Sequence, residues 1–405
     1  MRTIMPSIKP NVLATIILIV ISATLASAQS EKILYSFTGQ SDGGEPYPGL
    51  VADGKGNLYG TTVSGGTEFG GTVFELTPNS NGTWTENVLY SFTGVSNPSD
   101  GAAPLGGLVL DGKGNLYGTT SVGGGVNFQG TVFELSSGPN GTWSEKVIHS
   151  FTGGSDGANP DFGLTLDAAG NLYGTTTNGG TLGFGSVFEL VPGSNGTWNK
   201  RTLHSFTGGN DGSMPTSPLV LDGHGNLYGL TTDGGVHDYG VVFQLTPQST
   251  GPWTEQVVHA FTGSAGGTGS LGAVALDQAG NVYAEAFFSV LEFSPATGGT
   301  WTSKTLHTFT GGTDGAQPEG GLSLDNAGNL YGMTYTGGLH RGTVFELSPS
   351  TNGTWTEKIL HRFTSGADGA FPEFNYLNVD PKGNVYGTTF QGGSSNQGIV
   401  FEITP

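Results

Sequence analysis

The sequence predicts an all-β chain folded as a seven-bladed β-propeller of four-stranded antiparallel blades. Three observations predict it. First, a unit centred on Gly-Asn-Leu-Tyr-Gly-Thr-Thr (114–120) recurs seven times, with its Asn at Asn57, Asn115, Asn171, Asn226, Asn281, Asn329 and Asn384. The copies stand 48 to 58 residues apart, and each Asn follows an Asp by four residues. Second, every unit reads as four short strands. Third, the two ends are complementary. The last unit stops at Phe401-Glu-Ile-Thr-Pro405, after its third strand, and Glu31-Lys-Ile-Leu-Tyr-Ser-Phe37 is a fourth strand with no unit before it. Pairing the two completes blade seven and removes the open edges of the ring.

Residues 106–153 show how the unit builds strands. Gly107-Leu-Val-Leu-Asp111 is a continuous apolar run, as expected of a strand covered on both faces. Asp-Gly-Lys-Gly-Asn (111–115) makes a tight turn into the second strand, Leu116–Thr120. A glycine-rich loop follows, then the third strand, Gly130–Leu135, alternating apolar and polar. Asn140-Gly141 is a hairpin signal. The fourth strand runs from Trp143 to a closing Phe151, whose counterparts are Phe37, Phe92, Phe206, Phe261, Phe309 and Phe363. No segment after residue 28 has a helical period.

Composition excludes several functions. There is no Cys, so disulfides, thiolate catalysis and Cys-ligated zinc are ruled out. The net charge is −19 with only 13 Lys and Arg, scattered along the chain, which is the wrong balance for nucleic acid. Residues 1–28 read as a signal peptide: Arg2 and Lys9, an apolar run from Val12 to Leu25, and Ala26-Ser27-Ala28 before the cleavage point. Residues 29–405 are then one exported propeller domain, expected to be a monomer without a further membrane span.

The repeat resembles the GloVer tandem repeats of secreted bacterial choice-of-anchor proteins. The resemblance rests on Gly-Asn-Leu-Tyr-Gly-Thr-Thr, the Gly-Gly after it, and Gly-Thr-Val-Phe-Glu-Leu further on, and it covers Glu31 to Pro405. It implies export and a repeat architecture. It brings no established activity and no catalytic residues. The chain departs from the pattern in ending at Pro405 without an anchor segment.

The topology puts the loop after the second strand and the crossover after the fourth on one face. These loops are longer than a hairpin needs and differ between blades, so a binding site is expected there. Phe69, Phe128, Phe184 and Tyr239 fall at nearly the same loop place in blades one to four, and His340 and Arg341 in blade six. Exposed rings would stack on sugars or on a partner's apolar groups; the alternative is that each packs its own loop. Blade five lacks the long loop, and Glu285 stands where other units have Thr. The expected ligand is a glycan or an extracellular or envelope protein. A carbohydrate-active enzyme is the alternative, drawing on Glu285, Asp161, Asp233 and Asp238, although no pair among them suggests itself. A purely structural surface protein is a third reading.

The remaining motifs have simpler accounts. Asp42, Asp100, Asp156, Asp211, Asp314 and Asp368 in the crossovers are weak calcium candidates, better read as turn caps. No cofactor is expected. His149, His204, His259, His307 and His361 share one repeat position, one per blade, and do not converge as metal ligands would. Two Gly-x-Ser-x-Gly matches lie in crossovers, away from the strand-to-helix elbow a hydrolase needs.

Overall fold

The computed structural model describes residues 30–47, 49–94, 97, 99–125, 127–249, 252–263, 272–372 and 376–404. Residues 1–28, read from the sequence as a signal peptide, and most of the crossover into blade five lie outside the described residues. Seven antiparallel sheets follow one another around a ring. Blade one is Val51–Ala52, Leu58–Thr62, Thr72–Pro78 and Trp84–Ser91, hydrogen-bonded in that order, and the next five blades repeat it. Blades four and six gain a strand, Ser213–Pro215 and Ala316–Pro318, that pairs with an extended second strand. Among the described residues no helix is long and apolar enough to cross a membrane.

Blade seven is closed from both ends of the chain. Asn378–Val379, Val385–Thr389 and Ile399–Thr404 are joined by Ser30–Ser36 as outermost strand, in register from Ser30↔Thr404 to Ser36↔Ile399. The closing Phe of each fourth strand is then a bolt between blades. Phe37 of blade seven meets Phe74 of blade one edge-on at 5.1 Å. Phe92–Phe133, Phe151–Phe188, Phe206–Phe243 and Phe363–Phe401 repeat the contact around the ring, and Phe309–Phe345 meets at 5.1 Å in a tilted arrangement. Edge-on pairs of this kind add to the area they bury.

The repeated motif turns out to be scaffold. Asp111 Oδ1 accepts the backbone N–H groups of Lys113 and Asn115, both at 2.8 Å. Its Oδ2 accepts Asn115 Nδ2 at 3.0 Å and faces the Tyr117 hydroxyl at 3.3 Å. Burial opposes the charge, but these hydrogen bonds hold the Asp111 carboxyl below its usual range. Tyr117 packs edge-on against Trp198 of the next blade.

The first strand is shorter than its apolar run suggests, with two ladder residues per blade. The chain before it is drawn close to other blades near the axis. Tyr376 of blade seven touches Gly49 of blade one and Gly107 of blade two, leaving no room for a Cβ at either glycine. One side chain reaches two further blades only where the blades converge.

The motif's Gly118 has a packing reason. A Cβ there would lie 2.5 Å from Phe133 Cζ and 2.9 Å from Leu108 Cδ2. Blade five has Ala284 at this place, and opposite it stands Leu291 rather than Phe. The two changes compensate each other: the smaller third-strand side chain makes room for the methyl. Gly118→Ala is therefore expected to cost about 2–3 kcal/mol by overpacking. Adding Phe133→Leu should recover about 1 kcal/mol or more relative to the sum of the single changes, a coupling measurable by chemical denaturation.

Candidate functional site

The long-loop face carries most of the exposed apolar side chains. Twelve large hydrophobic residues are exposed among the described residues, and only Ile33 and Val88 lie elsewhere, on outermost strands. The other ten fall in blades one to six: Phe69, Val122, Phe128, Leu182, Phe184, Met214, Val236, Tyr239, Phe288 and Leu339. Six of these ten were not singled out from sequence. For five of them the signal is an apolar residue within or beside a glycine-rich loop, whereas Phe288 lies in the two-residue turn of blade five, which contains no glycine.

The four aligned aromatics separate into two kinds. Three residues before the third strand the backbone is left-handed in six blades, with φ of 61° at Phe69, 52° at Phe128, 91° at Gly183, 61° at Asp238, 71° at His340 and 58° at Asn396. Gly, Asn, Asp and His tolerate this region, but a bulky aromatic does so at a cost of about 1 kcal/mol or more. Phe69, 73% exposed, and Phe128, 48% exposed, hold it without being buried. Together they wall a cleft of about 240 Å³, with Gly70, Gly94, Ala102 and Gly123 beneath and Glu68 and Val122 beside them.

Phe184 and Tyr239 sit one residue later in register and behave differently. A Cβ on Gly208 would be 2.8 Å from the Phe184 ring, and one on Gly263 would be 2.6 Å from the Tyr239 ring. Each ring lies on the crossover glycine of its own blade, so for this pair the local-packing alternative describes the contact. In blade six the Arg341 guanidinium stands 5.0 Å over the Phe371 ring, which in turn meets Tyr335 at 5.2 Å. His340 beside it is exposed.

Glu285 is not at the rim. It lies within the second strand of blade five, 1% exposed, opposite Val290. In three other blades this position is a Thr donating to a carbonyl of the next blade, as Thr61 does to Pro104 at 3.0 Å. Glu285 keeps the inter-blade bond with reversed polarity, accepting the Gly321 N–H at 2.8 Å. Burial, tempered by backbone donors at Gly321 and Gly320, raises it to about 8. The carboxylate in blade five is therefore taken up at the interface between blades. Sequence places a residue in register but does not show which side of the sheet a neighbouring blade covers.

The other carboxylates considered for hydrolysis stay apart. Asp161 accepts Thr177 Oγ1 at 2.9 Å, and burial raises its carboxyl above the usual value. Asp238 accepts the Gly234 N–H at 3.0 Å, and Asp233 is exposed at the end of a strand. Among the described residues no hydrogen bond links any two of these four.

The crossover Asp residues form one recurring cluster at the outer edge of the blade interfaces. Asp42 accepts the Thr38 N–H and hydroxyl and the Tyr35 hydroxyl. Asp100, Asp156, Asp211, Asp314 and Asp368 accept the corresponding Thr groups. Their second neighbour is Tyr90 or a His; His149, His204 and His361 stand 3.3–3.4 Å from Asp156, Asp211 and Asp368. His259 packs on Phe261 and Phe293 instead.

A residue from the next blade completes the cluster. At one interface it is Lys200, 3.0 Å from Asp156. At five others it is a Glu beside the Asp. Burial first, and the neighbouring Asp second, raise Glu31, Glu86, Glu255 and Glu357 to about 7 and Glu145 to about 8. Among the described residues no three His, Asp or Glu side chains are grouped to hold a metal ion.

Comparison with known proteins agrees with this architecture. Solved structures match over nearly the whole chain. Virginiamycin B lyase from Staphylococcus aureus is 14% identical over 93% of this chain and 99% of its own, with a TM-score of 0.55. The extracellular domain of a hybrid two-component system from B. thetaiotaomicron is 11% identical, covering 92% of this chain and 39% of that one, at 0.56. PorZ, a surface component of the type-IX secretion system of Porphyromonas gingivalis, is 16% identical over 88% of this chain and 46% of its own, at 0.52. At these identities the likeness is one of fold. No curated protein matches the sequence. The model of the Gloeobacter/Verrucomicrobia repeat matches residues 19–164, 87–287 and 289–405, and the chain belongs to that family.

Proposed function

We propose that the protein is an exported, non-catalytic binding propeller whose long-loop face docks on apolar groups of an extracellular or envelope protein. The observation that carries the reading is the concentration of exposed apolar side chains on that face in six successive blades. Exposed apolar side chains gathered on one face are the kind of surface that marks an interaction site. The opposite carboxylate reading has less support, since Glu285 and Asp161 are taken up by packing. Extracellular relatives in fold, the two-component ectodomain and PorZ, suit export.

A glycan is the second reading, favoured by one feature: Phe69 and Phe128 face one cleft and hold a costly backbone conformation while exposed. The test is a parallel screen of the mature protein against envelope proteins and a glycan array. Phe69→Ser/Val236→Ser/Leu339→Ser should weaken protein binding about tenfold or more, as loss of apolar anchors does. Phe128→Ala should act selectively on a glycan. Unchanged binding by all variants would remove the long-loop face from consideration.

A further inference from the structure

Phe69 and Phe128 hold equivalent places in blades one and two, and both rings wall one cleft of about 240 Å³. Among the described residues neither ring packs on another aromatic ring. Both keep a left-handed backbone where blades three, four, six and seven have Gly183, Asp238, His340 and Asn396. Those four residue types accept that conformation readily, and a phenylalanine does not. Burial does not explain the choice, because both rings are exposed. Backbone strain held at an exposed position is characteristic of a ligand clamp.

The rest of the lining narrows the ligand. The floor is Gly70, Gly94, Gly123 and Ala102, with Val122 to one side, and Glu68 is the only charged side chain. A sugar brings several hydroxyls that need partners, and this lining offers one polar side chain. The volume also falls below the about 300–1,000 Å³ of common small-molecule pockets, which suits one compact group. Charge points to a cation. Residues 30–151, which hold the closing strand and blades one and two, contain four Lys and no Arg. Lys55 and Lys113 lie in turns of the opposite face, and Lys32 and Lys146 donate to the hairpin carbonyls of Gly82 and Gly196 on that same face. No Lys or Arg lines the cleft. Two phenyl rings and a carboxylate therefore meet there on a chain of net charge −19.

We infer that the Phe69–Phe128 cleft binds a trimethylammonium group of the kind carried by choline compounds. A quaternary ammonium is attracted to the negative face of an aromatic ring. Its methyl groups rest on the glycine and alanine floor, and the Glu68 carboxylate balances its charge. It carries no N–H, so a lining poor in hydrogen-bond acceptors suits it better than a primary ammonium. With two partly solvated Phe rings the site is weak, in the millimolar range. The inference rests on the long-loop face being a binding face, but it assigns this cleft a cation where the partner proposed above offers apolar groups.

The test titrates the mature protein with choline by ligand-observed NMR, beside the neutral analogue in which carbon replaces the nitrogen. Choline should bind at least about fivefold more tightly than the analogue. Phe69→Asn/Phe128→Asn places the residue type of blade seven at both left-handed positions, so it should melt no lower than wild type and lose choline binding. Glu68→Gln should weaken choline about threefold or more, as loss of the balancing charge does. Absence of wild-type binding in the millimolar range, or full binding by either variant, overturns the site. Equal binding of the neutral analogue overturns the cation and leaves apolar docking on this face standing. Co-sedimentation with phosphatidylcholine vesicles, against phosphatidylglycerol vesicles, separates the sources of the group. Retention on phosphatidylcholine supports a lipid headgroup, and choline binding without retention supports a free choline compound.

Discussion

Deletion of residues 29–38 should leave a chain that does not reach the folded state at 37 °C, or that melts at least about 10 °C lower. The segment supplies the whole outermost strand of blade seven, paired with Ile399–Thr404. It also carries Leu34 and Phe37, both buried, and Phe37 bolts blade seven to blade one. Removing a buried Phe costs about 3–5 kcal/mol and a buried Leu about 2–5 kcal/mol. Their sum is comparable to the entire stability of an ordinary domain, about 5–15 kcal/mol. The lost strand also exposes the edge of Ile399–Thr404, so association is expected alongside unfolding. Phe37→Ala alone should lose several kcal/mol without opening that edge, which separates the packing part from the pairing part. A deletion variant with the wild-type melting temperature would mean the ring does not depend on its closing strand.

Melting temperature should rise as pH is lowered from about 8.5 to 6.5, by on the order of 5 °C. The cause is the Glu set at the blade interfaces, raised to about 7 or 8 by burial and by the adjacent Asp. Glu285, raised to about 8, adds to it. A carboxyl with a raised folded pKa binds its proton more tightly when folded. Its stabilisation is complete below the unfolded value near 4.5 and is lost as pH climbs through 7–8. The His residues act in the other direction. Burial lowers His204, His259, His307 and His361 below 6.5. Their contribution is present above 6.5 and lost as pH falls through the lowered values, so it does not offset the Glu effect above 6.5. The interface Glu residues are partly exposed, and solvent screening reduces each share, which is why the expected shift is modest for so many groups. Glu145→Gln should flatten the profile and leave stability at pH 6.5 nearly unchanged. A melting temperature that is flat or rises between pH 6.5 and 8.5 would refute the account.

Much of the architecture was legible in the chain because it repeats. Seven copies of one turn set the number of blades, and the unmatched strands at Glu31–Phe37 and Phe401–Pro405 pointed to closure. The site was less legible. Phe69 and Phe128 do share a cleft, whereas Phe184 and Tyr239, one residue out of register, lie on Gly208 and Gly263. Glu285 looked like an exposed oddity and is an inter-blade hydrogen-bond acceptor. These differences arise between blades or in loop geometry, and the period of a single strand carries no information about either.

By itself, then, the sequence determined the repeat, the strand order within a blade and the closure, since each depends on local turn chemistry and on alternation along a strand. Tertiary structure alone decided what stands beside what around the ring. It set Glu86 next to Asp42, compensated Ala284 with Leu291, and paired Ser30 with Thr404 from opposite ends of the described chain. The physical reason is that a propeller makes its contacts twice over. Hydrogen bonds hold each blade to itself and are written locally, while packing and charge hold blade to blade and exist only once the ring has closed.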